Sequence, residues 1–128
     1  MQIKYLTNVN RQRLMKTGLN NIEEIKMNIE LTYNGNVAAM SIEGILNSEN
    51  AHVLQEKLVE VLASSATLLE LDLFECKNIS STGIGKILLF YKDFIGRSGE
   101  IEVVRSSNSV YELFSMLKLN QLFTVNLG

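Results

Sequence analysis

A chain of 128 residues, 46% of them apolar, has room for one domain with a hydrophobic core and not for two of ordinary size. It has no stretch near the roughly 20 continuous apolar residues of a membrane-spanning helix, and its single cysteine, Cys76, excludes an intramolecular disulfide. The formal charge of −2 divides unevenly: Lys4, Arg11, Arg13 and Lys16 give residues 1–20 a charge of +4 with no acid, so the rest carries −6, which argues against nucleic-acid binding by the body because phosphate contacts need a concentrated cationic face.

The leading segment MQIKYLTNVNRQR lacks the apolar centre of a signal peptide, and with the lone reduced cysteine it predicts a cytoplasmic protein with no membrane partner. Residues 1–26 precede the first strand pattern and form an N-terminal extension; residues 27–128 form the domain. Within the extension Met15, Leu19, Ile22 and Ile25 recur at helical spacing, which predicts a helix over residues 10–25 packed on the sheet or its edge. Gly18 works against that helix, and a solvated basic tail is the alternative.

From Met27 to Tyr33 apolar Met27, Ile29, Leu31 and Tyr33 alternate with Asn28, Glu30 and Thr32, the pattern of a strand with one wet face. Asn34-Gly35 is the dipeptide of a tight hairpin turn, and Val37 to Glu43 returns as a second strand. Asn47 or Ser48 then caps a helix whose Ala51, Leu54, Leu58, Val61 and Leu62 make one apolar stripe, with Glu56, Lys57 and Glu60 outward. Leu68 to Phe74 is an apolar run of strand length, followed by a polar loop from Glu75 to Ile79.

Ser80-Ser81-Thr82-Gly83 opens a second helix marked by Ile84, Ile87, Leu88, Tyr91, Phe94 and Ile95 and ended by Gly96 and Gly99. Ile101 to Val104 is a further strand, and Val110, Leu113, Phe114 and Leu117 mark a third helix, with Ser109 and Glu112 as a capping box. Asn120 suits the left-handed position that ends it, before a short extended segment from Leu122 to Val125. Because strand–helix–strand crossovers are right-handed, this order predicts an α/β fold with a mixed sheet of four to five strands and helices mainly on one face.

Most catalytic chemistries lack their residues. His52 is the sole histidine, so it cannot join the one distant cysteine in a metal cluster, and it reads as a solvent-facing or rim residue. No G-x-S-x-G elbow surrounds the hydroxyls at 80–82, which leaves a serine hydrolase without support. Gly83-Ile84-Gly85 lacks the rest of a nucleotide-binding loop, and Glu70 with Asp72 reads as rim charge on one strand face. Neither metal nor cofactor is called for, and no catalytic residue is assigned.

The Ser/Thr turn lies between an apolar strand and a helix, where open α/β sheets present their working surface. Helix capping alone explains such hydroxyls in isolation. The run Leu71-Asp72-Leu73-Phe74-Glu75-Cys76-Lys77-Asn78-Ile79-Ser80-Ser81-Thr82-Gly83-Ile84-Gly85, however, is similar to the apolar strand, polar loop and D-S-[ST]-G-[LIV]-G signature of the STAS domain, the family of bacterial anti-sigma-factor antagonists and related signalling modules. The resemblance extends upstream to Ser41–Leu46 and downstream through Ile101–Val104 and residues 110–123. It implies a STAS-like sheet and a non-enzymatic protein that binds an anti-sigma factor acting also as a serine kinase, with a serine phosphatase for reversal. By motif position Ser81 is the phosphoacceptor, with Ser80, standing where the family has Asp, as a second candidate. Ser80, Ser81, Thr82, Gly83, Ile84 and Ile87 are the expected partner-binding residues. The neutral Ser80 also keeps open a constitutive scaffold or ligand-sensing STAS module that is never phosphorylated. Family members commonly continue past the last short strand into a further helix, and the N-terminal helix is expected to cover the surface that helix would cover.

Overall fold

The computed structural model describes residues 27–128. The helix expected over residues 10–25, and the extension that holds it, lie outside the described residues. Strand β1 (Met27–Asn34) pairs antiparallel with β2 (Val37–Leu46), Ile29 opposite Ile42 and Asn34 opposite Val37. The turn is therefore Gly35-Asn36, not Asn34-Gly35. Only Gly35 of that pair has positive φ, 62°, the arrangement that wants glycine at the first central position. Met27, Ile29, Ala38, Met40 and Ile42 are buried on one face of the hairpin, while Glu30 and Thr32 are exposed on the other.

Helix α1 (Ala51–Ala63) buries Ala51, Val53, Leu54, Leu58 and Val61. Its N-cap is Asn50 and not Asn47 or Ser48; Asn47 builds the preceding turn instead, its Oδ1 accepting from the Glu49 and Asn50 N–H groups at 2.9 and 3.0 Å. Two strands then pair in parallel with β2 in succession. β3 (Leu68–Leu73) lies along Val37–Ser41, and β4 (Cys76–Ile79) lies along Gly44–Leu46. The expected polar loop at 75–79 is thus mostly a strand, and among the described residues the sheet has six strands where four to five were expected. The cause is its burial pattern: Cys76 and Ile79 face inward with two exposed polar residues between them, a spacing of three that no alternation rule detects.

Helix α2 (Ser81–Ile95) buries Gly83, Ile84, Ile87, Phe90 and Phe94, with the Phe90 and Phe94 rings stacked at 4.7 Å. Ile95, placed on its apolar stripe by spacing, is exposed, and Phe90 takes the core position. β5 (Glu100–Ser106) leads to α3 (Asn108–Met116), whose N-cap is Ser107, two residues earlier than the Ser109 expected. Lys118, and not Asn120, adopts the left-handed conformation that ends α3, at φ 62°, and Asn120 lies in the following 3₁₀ turn (Leu119–Gln121). The two-residue β6 (Thr124–Val125) closes the sheet in the order β1-β2-β3-β5-β6, with β4 paired to β2 beyond the end of β3. Each crossover from β2 onward moves the same way, so α1 and α2 share one face, in contact with each other, while α3 packs against β4. No helix among the described residues is long and apolar enough to cross a membrane.

One side chain ties the far ends of α1 and α2 together. The Arg97 guanidinium donates to the carbonyls of Leu62 at 2.7 Å, Val61 at 3.2 Å and Ala66 at 2.9 Å, and stacks 5.1 Å from the Phe94 ring centre. These carbonyls lie at the end of α1 and just beyond it, where helical partners run out. Arg97→Ala is expected to lower stability by about 2 kcal/mol, read in thermal unfolding, with Arg97→Lys recovering less than half because an ammonium cannot fork across three carbonyls. An unchanged melting temperature in Arg97→Ala would show that water serves those carbonyls equally well.

Candidate functional site

The turn between β4 and α2 is held from three directions. Ser80 N–H donates to the Leu46 carbonyl at 2.8 Å, which joins the end of β4 to the end of β2. Ser80 Oγ accepts the Gly83 N–H at 3.3 Å, and its carbonyl accepts the Ile84 N–H at 3.0 Å. Ser80 is therefore the N-cap of α2, with extended backbone at φ −76° and ψ 169°. It does the capping an aspartate would do there, without the charge. Ser81 and Thr82 follow as the first two helical residues, both exposed. The first turn of α2 has no acidic residue, so the partial positive charge of the helix end is unanswered by side chains of that turn.

Beneath the turn the packing is tight. A Cβ on Gly83 would stand 2.7 Å from Leu46 Cδ2 and 2.9 Å from Ile79 Cγ2, so glycine lets α2 lie directly on the ends of β2 and β4. Ile84 and Ile87, expected to flank a contact face, are 7% and 1% exposed. Their helical spacing, three residues apart, sends both into the core, so they support the turn from below and are not available for direct contact. Of the six residues singled out by sequence, Ser81 and Thr82 are the ones whose side chains lie open to a partner, with Ser80 half-buried between them and the core.

Sequence reasoning missed the residues that hold β4 on its other side. Ser107 Oγ donates to the Cys76 carbonyl at 2.6 Å and accepts the Val110 N–H at 3.3 Å, and Ser109 Oγ donates to the Lys77 carbonyl at 2.9 Å. The first turn of α3 thus stands where a neighbouring strand would be. Its signal is the polar run Ser106-Ser107-Asn108-Ser109 after β5, of which only a cap was read. At the outer end of β3, Asp72 accepts from Arg105 at 2.7 Å, and the Arg105 guanidinium lies 4.7 Å from the Phe74 ring centre. His52 is an exposed residue of α1, remote in role from the turn.

Cys76 is fully buried, its Sγ lying 3.6 Å from the Asn78 carbonyl, and burial pushes its thiol up from 9.0 to about 11, a rise that the backbone at Asn78 only partly offsets. A thiol this reluctant to ionise is a packing residue. Because the folded state prefers the protonated form, the stability tied to Cys76 is fully present below about pH 9 and is lost as the pH rises toward 11, by about 3 kcal/mol. A thiol reagent at pH 7 is expected to leave the native protein unmodified and to label it stoichiometrically in denaturant; rapid labelling of the native chain would overturn this assignment.

The family model described as "Mlab, STAS domain" matches residues 29–125. Among curated proteins none matches the chain. Among solved structures, an anti-sigma factor antagonist from Mycobacterium paratuberculosis superposes with a TM-score of 0.70 at 18% identity, covering 78% of this chain and 85% of that one. The anti-sigma factor antagonist SpoIIAA in its unphosphorylated form gives a TM-score of 0.67 at 14% identity, covering 77% and 87%. The Bacillus cell fate determinant SpoIIAA in its phosphorylated form gives 0.63 at 13% identity, covering 77% and 90%. At such identities the structures establish a shared fold, and it is the family model, spanning all but the first two residues of the strands and helices described above, that makes this chain a member of the STAS domain family.

Proposed function

We propose that this protein is an anti-sigma-factor antagonist of the cytoplasm, a non-enzymatic competitor that binds an anti-sigma factor acting also as a serine kinase and is released by phosphorylation of Ser81. The observation that carries this reading is the position of Ser81. It is an exposed hydroxyl at the first helical residue of α2, next to a cap, Ser80, whose own oxygen is committed to Gly83. The capping bond makes Ser80 the poorer acceptor of the two. Two of the similar structures are of SpoIIAA without and with phosphate, which supports a fold of this kind accommodating the modification.

The physics of the switch follows from the turn. Unmodified, Ser81 and Thr82 are neutral and small, and a partner can cover them at little desolvation cost. A phosphate brings roughly −1.5 to −2 charges at pH 7. In the free protein the N-terminus of α2 offers backbone N–H groups and no competing acid, so the fold persists. At an interface the same charge meets whatever acidic groups or nucleotide phosphates the kinase holds, and each 1.4 kcal/mol of repulsion or desolvation is about tenfold in affinity. Reversal calls for a serine phosphatase. Nucleic acid and membrane have no part in this reading.

Ser80 in place of the family's Asp favours a second reading, a constitutive scaffold or ligand-sensing module, because the turn lacks the acid that accompanies the family's phosphoacceptor. Intact-mass analysis of the chain isolated from its own cells is expected to show a single phosphate, lost in Ser81→Ala and kept in Ser80→Ala, the latter losing about 1 kcal/mol of stability with its cap. Capture from the same cells should retain the kinase with the wild type and lose it, at least tenfold, with Ser81→Asp. A phosphate that persists in Ser81→Ala would sink the acceptor assignment, and full retention of a partner by Ser81→Asp in an unphosphorylated chain would favour the scaffold.

A further inference from the structure

The sheet has a second face, opposite α1 and α2, and no described element packs on it. Strands β1, β2, β3 and β5 turn six carboxylates toward it, Glu30, Glu43, Glu70, Asp72, Glu100 and Glu102, because each alternates with a buried neighbour. Those four strands carry one cation, Arg105, and it is spent on Asp72. Glu70 and Glu102 even stand side by side in the parallel register of β3 and β5, an arrangement that like charges disfavour. Between the acids lie half-buried Val37, Ala39, Leu68 and Val104, so the face is apolar as well as negative. At its edge, immediately after residue 26, the Asn28 Oδ1 is buried with no hydrogen-bond partner among the described residues.

We infer that this acidic sheet face is the docking site of the chain's own residues 1–26. The occupant is chosen by charge, reach and attachment. Residues 1–26 hold five cations, Lys4, Arg11, Arg13, Lys16 and Lys26, against Glu23 and Glu24, and the apolar set Met15, Leu19, Ile22 and Ile25 matches the apolar strip between the carboxylates. From β1 to β6 the face is about 19 Å wide at the usual strand spacing, a small part of what 26 residues reach at roughly 3.3 Å each. The segment joins the sheet at Met27, the first residue of β1, so it is held at an effective concentration that a separate basic partner must outcompete. A second copy of the domain would bring an identical acidic face to this one, and like charges oppose that pairing. Docking neutralises the Glu70–Glu102 repulsion and supplies donors at the edge where the Asn28 oxygen lacks one.

The test uses the full chain. A nitroxide attached through Gln12→Cys, with buried Cys76 left unmodified, is expected to broaden the backbone amide signals of Ala39, Glu70 and Val104 severalfold more than those of α1 and α2. The effect should vanish in Arg11→Glu/Arg13→Glu and return when Glu70→Lys/Glu102→Lys is added to that pair. Raising salt from about 50 to about 500 mM should weaken it in the wild-type charge background, where screening shortens the reach of each charge, and this arm needs no charge variant to fold. Broadening of the helical face, uniform weak broadening, or broadening transferred to unlabelled chains mixed with labelled ones would overturn the inference, the last pointing to a second copy as the occupant.

Discussion

At the carboxyl end of β2 the Leu46 carbonyl accepts the Ser80 N–H, and the working end of the molecule is arranged around that bond. Among the described residues β2 is the only strand that pairs with three others, antiparallel with β1 and in parallel with β3 and then β4. For one strand to serve two successive parallel partners its register must slip, and it does so between Gly44 and Ile45, with Gly44 at φ 93° and its N–H donating to Glu75 at 3.0 Å. A side chain at Gly44 would have to adopt a conformation that L-residues rarely tolerate. The slip carries β4 past the end of β3, and the turn it delivers stands proud of the sheet, where α2 begins. Loss of that register would take the cap, the first turn of α2 and the exposed Ser81 with it.

The two ends of the electrostatic problem sit on different surfaces. The turn is neutral, with the positive end of a helix behind it and no acid in that helix's first turn. The open sheet face is strongly negative and apolar in its gaps. A protein of small net charge therefore presents two surfaces of different character, one suited to gaining and losing a phosphate, the other to holding a basic, partly apolar segment. The summed charge of −2 hides both.

Much of the fold was legible because its elements obey their own periods. β1 and β3 alternate, as do β2 up to Glu43 and β5 up to Val104, and α1 and α2 bury stripes at i, i+3 and i+4. What escaped detection did so where tertiary context overrode local pattern. β4 is four residues long and buries its first and last, which no period of two predicts. Phe90 and not Ile95 lies in the core because α2 buries the stripe Ile87, Phe90 and Phe94, and Ile95, one residue on from Phe94, points about 100° away from it. Caps moved by two to three residues at α1 and α3, since several adjacent Asn and Ser side chains compete for the same N–H groups and local turns decide among them. At the site, the sequence located Ser80 and Ser81 and the glycine behind them, but it took Ile84 and Ile87 for surface. The hydroxyls of Ser107 and Ser109, which complete β4 from α3, could be read only once β5 was known to end beside the end of β3, Ser106 opposite Leu73, just before β4 begins.

The slipped register also orders events in time. The β1–β2 hairpin is local and closes on the microsecond scale of such units. The Ser80 turn exists only after Leu46 has met Ile79 across all of α1 and β3, and after α3 has brought Ser107 to the Cys76 carbonyl from a similar distance along the chain. Such long-range pairings form late, because loop closure must precede any gain from them. The surface that a partner reads thus depends on the same long-range pairings as the parallel part of the sheet, and it is presented only by a chain in which those pairings have formed.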